Sequence, residues 1–234
     1  MAFNTKTFIY FFVTLKPITE NYNIKLQTQM ILPEPSLRRL PWYLAHVKLL
    51  MENDVEFVSS TQIATATNVD ASQVAKDLSM LEISGKTRVG YEVKSLVEVL
   101  EDFLGFTKCH KACIFGVGSL GGALMHDGGL EQYGLKLVAG FDVRADIIGK
   151  EINGIKIHNI NDFKKIQETE QMVIGIITVP VDKAQESADI MVSGGIGAIW
   201  NFTPYKIKVE ENIVVQETSL YAHLAVMFNR LNEK

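Results

Sequence analysis

Apolar residues recur at three- and four-residue steps from Leu37 through Leu40, Leu44 and Val47 to Leu50, the spacing of one buried helix face. Pro41 falls early in that run, where a missing backbone N–H does least harm. The next stretch, SSTQIATATN, offers Ser59 or Ser60 as the N-cap of a short helix. A tight NVD turn then leads into ASQVAKDLSMLEI, with Asp70 as its cap. Two short helices joined so closely predict a helix-turn-helix, and the second is the one suited to a DNA groove. In SGKTRVGYEV, Gly85 and Gly90 bracket a small hairpin carrying Lys86 and Arg88. Three helices and a basic hairpin, in this order, predict a winged helix. A connecting helix over residues 94–106 puts Leu96, Val99, Leu100 and Phe103 on one side.

From residue 111 the period changes. CIFGVG, KLVAGFDV, MVIGIIT and AIWNFT read as four apolar strands, with helices such as residues 182–194 between them. IGKEINGIKIHN, between the second and third, reads as a short hairpin insertion. Apolar strands alternating with helices predict a parallel sheet covered on both faces. In the last segment Leu220, Leu224, Met227, Phe228 and Leu231 form one stripe. So apolar a helix must dock, either on its own domain or on a second subunit. The expected organisation is an extension over 1–29, a winged helix-turn-helix DNA-binding domain over 30–107, a Rossmann-like doubly wound domain over 108–216 and a dimerisation helix over 217–234. The fold class is α/β.

Composition narrows this picture. At 234 residues, 47% hydrophobic and 21% charged, the chain is an ordinary globular protein. Its net charge of -4 excludes a uniformly basic nucleic-acid binder, so any DNA contact comes from a local patch. Two cysteines cannot make a disulfide framework and point to a reducing, cytoplasmic setting. Cys109, His110 and Cys113 are too few for a metal site, and none is expected. FIYFFVTL, residues 8–15, is far short of the roughly 20 residues that cross a bilayer. It also lacks a small-residue cleavage pattern. No membrane partner is expected, and residues 1–29 read as an extension without a role in the fold.

The candidate chemistry centres on KACIFGVGSLGGAL, where Gly116, Gly118 and Gly121 have the spacing G-x-G-x-x-G between a strand and a helix. The first glycine permits the tight turn, the second lets backbone approach a pyrophosphate, and the third packs helix on strand. Amides around Val117, Ser119 and Leu120 would face the phosphates at the helix start. Asp142, about 20 positions on, can accept both ribose hydroxyls. A carboxylate there disfavours a 2′-phosphate, so NAD is expected rather than NADP, a preference that nearby Arg144 weakens. The TVP stretch (Thr178, Val179, Pro180) and NFTP, beginning at Asn201, end strands three and four. They either close over the nicotinamide or simply turn the chain. None of the five histidines (His46, His110, His126, His158 and His223) lies beside these stretches, so no acid or base is placed for hydride chemistry. No catalytic residue is expected: the dinucleotide carries information. On the reader, Arg38, Arg39, Ser72, Gln73, Lys76, Lys86 and Arg88 are the candidates for DNA contact.

RRLP, VSS, QVAKDLS, VGY, GVGSLGGAL, FDV, TVP and NFTP, in that order over residues 33–231, make the chain resemble the Rex family of redox-sensing transcriptional repressors. That resemblance implies a homodimer with an exchanged last helix, bound to an inverted-repeat DNA operator. It implies release from the operator by NADH, with NAD+ competing and permitting binding, and no enzyme activity. It carries pyrophosphate contacts onto Gly116, Gly118 and Gly121, a ribose contact onto Asp142, and the nicotinamide side onto Thr178, Pro180 and Asn201. The reader positions it marks are Gln73, Lys76, Lys86 and Arg88. The chain departs from the family pattern at Ala75, where many members have Arg, and in the wing, GKTRVGY. Ala45 and Ser219 stand where some members pair an Arg with an Asp across the dimer. Tyr91, with Ser219, Leu220 or Glu217, is the expected substitute switch. Two other classes fit the same motifs: an NAD-dependent oxidoreductase with an appended helical domain, and a CoA-binding module.

Overall fold

A computed structural model describes residues 32–81 and 83–232; the expectations for residues 1–29 lie outside them. The first half is helical. Helix α1 (Glu34–Glu52) buries Leu40, Tyr43, Leu44 and Val47 and carries Pro41 inside it, so the helix starts earlier than the apolar run suggests. Helix α2 (Ser60–Thr67) is entered through a reciprocal cap, Ser59 with Gln62, which satisfies two amides otherwise left unpaired. Asn68 closes it in the left-handed region, φ 52°. Asp70 then caps α3 (Ala71–Ser79) by accepting from the Ser72 amide. A connecting helix, α4 (Val93–Phe103), completes the core with Leu96 and Leu100.

The wing is smaller than expected. Strands β1 (Phe57–Val58) and β2 (Tyr91–Glu92) pair antiparallel, and the loop that leads from α3 into β2 is pinched by a bridge from Lys86 to Gly90. Its basic residues therefore sit in a tight turn, with Arg88 at φ 65°.

The second half is a seven-stranded sheet whose strands run, from one edge to the other, β5 (Glu151–Ile152), β6 (Ile155–Asn159), β4 (Leu135–Asp142), β3 (His110–Phe115), β7 (Ile174–Ile177), β8 (Ala198–Asn201) and β9 (Val214–Glu217). Its central strands are β3 (His110–Phe115), β4 (Leu135–Asp142), β7 (Ile174–Ile177) and β8 (Ala198–Asn201). All pair parallel. Successive residues of β3 feed opposite faces: Cys113 and Phe115 join Phe141, Phe163 and Met191, while Ile114 joins Met125, Ile157 and Ile176. Helix α5 (Ser119–His126) follows β3; α6 (Phe163–Glu170) and α7 (Ala184–Ser193) flank β7.

Two expectations are corrected here. The hairpin of β5 (Glu151–Ile152) and β6 (Ile155–Asn159) is no separate insertion, because β6 joins the sheet parallel to β4. A further strand, β9 (Val214–Glu217), extends the other edge beside β8. Helix α8 (Leu220–Asn232) follows directly and buries none of its side chains. Leu220, Leu224, Met227, Phe228 and Leu231 are all between 40% and 61% exposed, so the stripe does not dock on its own domain.

Candidate functional site

Strands β4 and β7 lie on opposite sides of β3, so the chain reverses direction across the sheet at β3. Ligands of such sheets bind at the carboxyl ends of the strands beside that reversal. The loop after β3 stands there against the loop after β7. Gly116 turns at φ 90°, and a Cβ on it would lie 2.9 Å from the Thr178 carbonyl and the Val179 amide. A Cβ on Gly121 would overlap the Gly116 carbonyl and come within 2.8 Å of Thr178 Oγ1. The Thr178 hydroxyl donates to the Gly116 carbonyl at 2.7 Å. Two of the three glycines are thus needed for close packing, Gly116 on the backbone of Thr178 and Val179, and Gly121 on the Gly116 carbonyl and the Thr178 hydroxyl.

Gly118 differs. It is the N-cap of α5, has no side-chain cap, and a Cβ there meets no atom within 4 Å. Ser119 and Leu120 beside it are exposed, while Val117 is buried. Open space, unclaimed amides and the positive end of a helix dipole converge at this point. The residues present fit a dinucleotide's pyrophosphate.

Asp142 is placed at the end of β4, but its carboxylate is turned on the protein itself. Oδ2 accepts from the Val117 amide at 2.8 Å, and Oδ1 accepts from the Val143 and Arg144 amides at 2.8 and 2.9 Å. Arg144 adds its side chain to Asp142 and donates to the Val117 carbonyl at 2.7 Å. Burial works to raise the Asp142 carboxyl, yet these donors outweigh it and hold it below its ordinary value. A carboxylate offers about four acceptor positions, and the protein itself occupies most of these. Asp142 thereby orders the glycine loop.

Asn201 is likewise engaged with the protein itself. It is fully buried, donates to the Tyr205 carbonyl at 2.7 Å and Glu217 at 2.8 Å, and accepts from Thr203. Its own carbonyl accepts the Thr218 amide at 2.8 Å. Trp200 donates to the Thr218 hydroxyl at 2.9 Å and packs on Phe202 with ring centroids 4.7 Å apart. The turn after β8 is thereby fastened to the root of α8. Thr178 and Val179 are half-buried and Pro180 exposed.

On the helical half, Ser72 and Lys76 are exposed on α3, and Lys86 and Arg88 on the wing. Lys86 lies 4.7 Å above the Phe57 ring. Arg38 is exposed and paired with Glu34. Two of the expected contact residues have partners within the protein. Arg39 does not point outward: its guanidinium forks onto the buried carboxylate of Asp77 at 2.7 and 2.9 Å. Gln73 also turns inward and donates to Asp77 at 2.8 Å. Ser36 and Tyr43 complete the set, each donating to Asp77 at 2.9 Å. Tyr91 lies in β2 against Gly85, and Ser219 caps the first turn of α8 by accepting from the Ala222 amide.

Burial works to raise the Asp77 carboxyl, but donors from Arg39, Ser36, Gln73 and Tyr43 outweigh it and hold it at about 2. Burial, with Asp77 alongside, pushes the Tyr43 hydroxyl up to about 12. Because Asp77 titrates below its ordinary 3.8, the folded state binds fewer protons than the unfolded chain. This stabilisation is present above that ordinary value and is lost as pH falls toward about 2. Urea unfolding is expected to show wild type losing about 2 kcal/mol more than Asp77→Asn between about pH 5 and 2. Parallel losses in the two proteins would refute it.

A relative described as "Redox-sensing transcriptional repressor Rex", from Bacteroides thetaiotaomicron, is 60% identical over 92% of this chain and 98% of its own length. The chain belongs to the Rex family. A Rex repressor from Porphyromonas gingivalis is 55% identical, over 90% of this chain and 96% of its own. The crystal structure of RSP in complex with NAD+ and operator DNA matches with TM-score 0.82 and 32% identity, over 87% of this chain and 94% of that one. RSP with NADH matches with TM-score 0.77, at 32% identity over 87% and 95%. Two family models match within the same span: "Putative DNA-binding protein N-terminus" over residues 31–79 and "CoA binding domain" over residues 107–205.

In this Rex chain the buried acid that the sequence pattern left unmarked is Asp77. A signal existed: Val74, Leu78 and Leu81 define the buried stripe, and Asp77 stands within it, at i+3 from Val74. The strap from Arg144 to the Val117 carbonyl and the fastening by Trp200 carry no such signal. Among the described residues no three His, Cys, Asp or Glu side chains come together as a metal site, and no helix is long and apolar enough to cross a membrane.

Proposed function

We propose that this Rex chain is a cytoplasmic, homodimeric repressor that reads the NADH/NAD+ balance and does not consume either form. The observation that carries the reading is the open cradle at Gly118, built into the same chain as an exposed α3 and wing. The pyrophosphate is held by amides around Gly118, Ser119 and Leu120, while Gly116, Gly121 and Thr178 keep that loop rigid and Asp142 orders it. Val179, Pro180 and Phe202 give the nicotinamide end an apolar rim. A dry rim of that kind favours the neutral dihydronicotinamide over the cationic ring, which loses more on leaving water. DNA is met by Ser72 and Lys76 of α3 and by Lys86 and Arg88, with Arg38 near the backbone.

Two readers are needed for an inverted repeat, and α8 supplies the interface between copies. NADH changes operator affinity only through its differential affinity for two dimer states. Moving a population from almost wholly one state to almost wholly the other takes about 5.5 kcal/mol, shared by two sites. Fluorescence anisotropy on a duplex selected by the protein from a randomised pool provides the test. NADH is expected to release the duplex and NAD+ to oppose the release. Unchanged DNA binding on NADH addition defeats the switch. Thermal shifts with NADH, NAD+ and CoA distinguish the CoA-module alternative, which predicts a shift with CoA alone. Sustained NADH consumption with a small carbonyl compound would point to the oxidoreductase alternative.

A further inference from the structure

The strongest unassigned cluster lies behind the reading helix. Asp77 is fully buried yet accepts from Arg39, Ser36, Tyr43 and Gln73, which come from α1 on one side and α3 itself on the other. A buried carboxylate is tolerated only when its acceptors are filled, and here every donor but Gln73 belongs to α1. Arg39 also reaches Ser36 at 3.2 Å, which closes the set. Hydrogen bonds, unlike apolar contacts, fix rotation and register of one helix on another because they weaken steeply off axis. The apolar stripe of α3 sets how deep the helix sits; the Asp77 cluster sets which way its outer face points.

We propose that Asp77 is a positioning residue for operator reading, holding α3 on α1 so that Ser72 and Lys76 face the groove, and that Arg39 serves this carboxylate and not a DNA phosphate. The inference rests on the proposed reading of α3 as the DNA-facing helix. It also assigns Gln73 a particular task. With Nε2 given to Asp77, the amide cannot rotate freely, and its remaining groups are presented in one orientation at the margin of the α3 surface.

The experiment uses the full chain in NAD+ and compares wild type, Asp77→Asn and Arg39→Met on the selected duplex and on a scrambled duplex, across a salt series. Both variants are expected to lose about tenfold or more on the selected duplex, the scale of a charged hydrogen-bond set. On the scrambled duplex they keep wild-type affinity, because the phosphate contacts remain. The slope of log affinity against log salt stays at the wild-type value in both. A slope reduced by about one in Arg39→Met marks a lost phosphate contact and overturns the proposal, as does unchanged affinity on the selected duplex. Equal loss on both duplexes marks general damage to the domain and overturns it too. Should Asp77→Asn fail to fold, Ser36→Ala and Tyr43→Phe each remove one bond. Both are then expected to lower the ratio of selected to scrambled affinity by about twofold to tenfold, and an unchanged ratio overturns the proposal. NADH thermal shifts stay at the wild-type size in every variant. Wild type failing to select any duplex would instead sink the DNA-binding reading, and the positioning role with it.

Discussion

Gly118→Val is expected to reduce NADH affinity by about a hundredfold or more, equivalent to about 2.7 kcal/mol, while the unliganded protein still folds. The valine meets no protein atom within 4 Å of its Cβ, and Gly118 has φ -82°, a value open to any residue. Losing a glycine N-cap costs up to about 1 kcal/mol, so the melting temperature should fall by no more than about 4 °C. The cost lands on the ligand instead, because the added methyls occupy the open space beside the amides at the start of α5. Gly121→Val is the contrast. Its Cβ overlaps the Gly116 carbonyl, so this variant is expected to lose stability before any ligand is added. Calorimetric NADH binding and thermal melts on both variants check the pair. A Gly118→Val protein that binds NADH like wild type would remove the cradle from the mechanism.

The contrast between these two glycines shows what the sequence could and could not convey. G-x-G-x-x-G located the crevice because its spacing reflects local backbone demands, which sequence carries well. It did not separate Gly118, open on its outer side, from the two glycines packed against Thr178, since that distinction depends on a loop more than 50 residues away. Asp142 and Asn201 lie at the expected strand ends, but their partners are backbone and side-chain groups of neighbouring loops whose directions no pattern displays. The pairing of Arg39 with Asp77 was hidden for a related reason: an arginine on an amphipathic helix reads as solvated until its buried acceptor is known. Strand β9 was missed because four residues at a sheet edge, mostly exposed, leave little alternation to detect. Strand β6 was seen and assigned to a hairpin, since only β4 reveals its second partner.

Leu224→Asp combined with Phe228→Asp is expected to convert the proposed dimer into monomers. Full burial of one such side chain contributes roughly 1.5–3 kcal/mol, and a two-fold interface removes four of them. The dimer dissociation constant should rise by about four orders of magnitude or more, since each factor of ten corresponds to about 1.4 kcal/mol. Affinity for an inverted repeat should then fall by at least about a hundredfold, because one reader no longer tethers the other. Sedimentation velocity and anisotropy on the same preparation check both effects. NADH binding by the cradle is a property of one chain and should persist. A doubly substituted protein that still sediments as a dimer would transfer assembly to another surface.

Helix α8 has 13 residues, a length at which an isolated helix is only marginal in water. With no side chain of its own tucked into the rest of the chain, its coil-to-helix balance is set by whatever covers the stripe. Where that cover is a second copy, dilution unwinds the tail and parts the pair in the same event. Ellipticity at the helical band would then fall as the protein is diluted, making the tail's local folding a gauge of how many copies the cell holds.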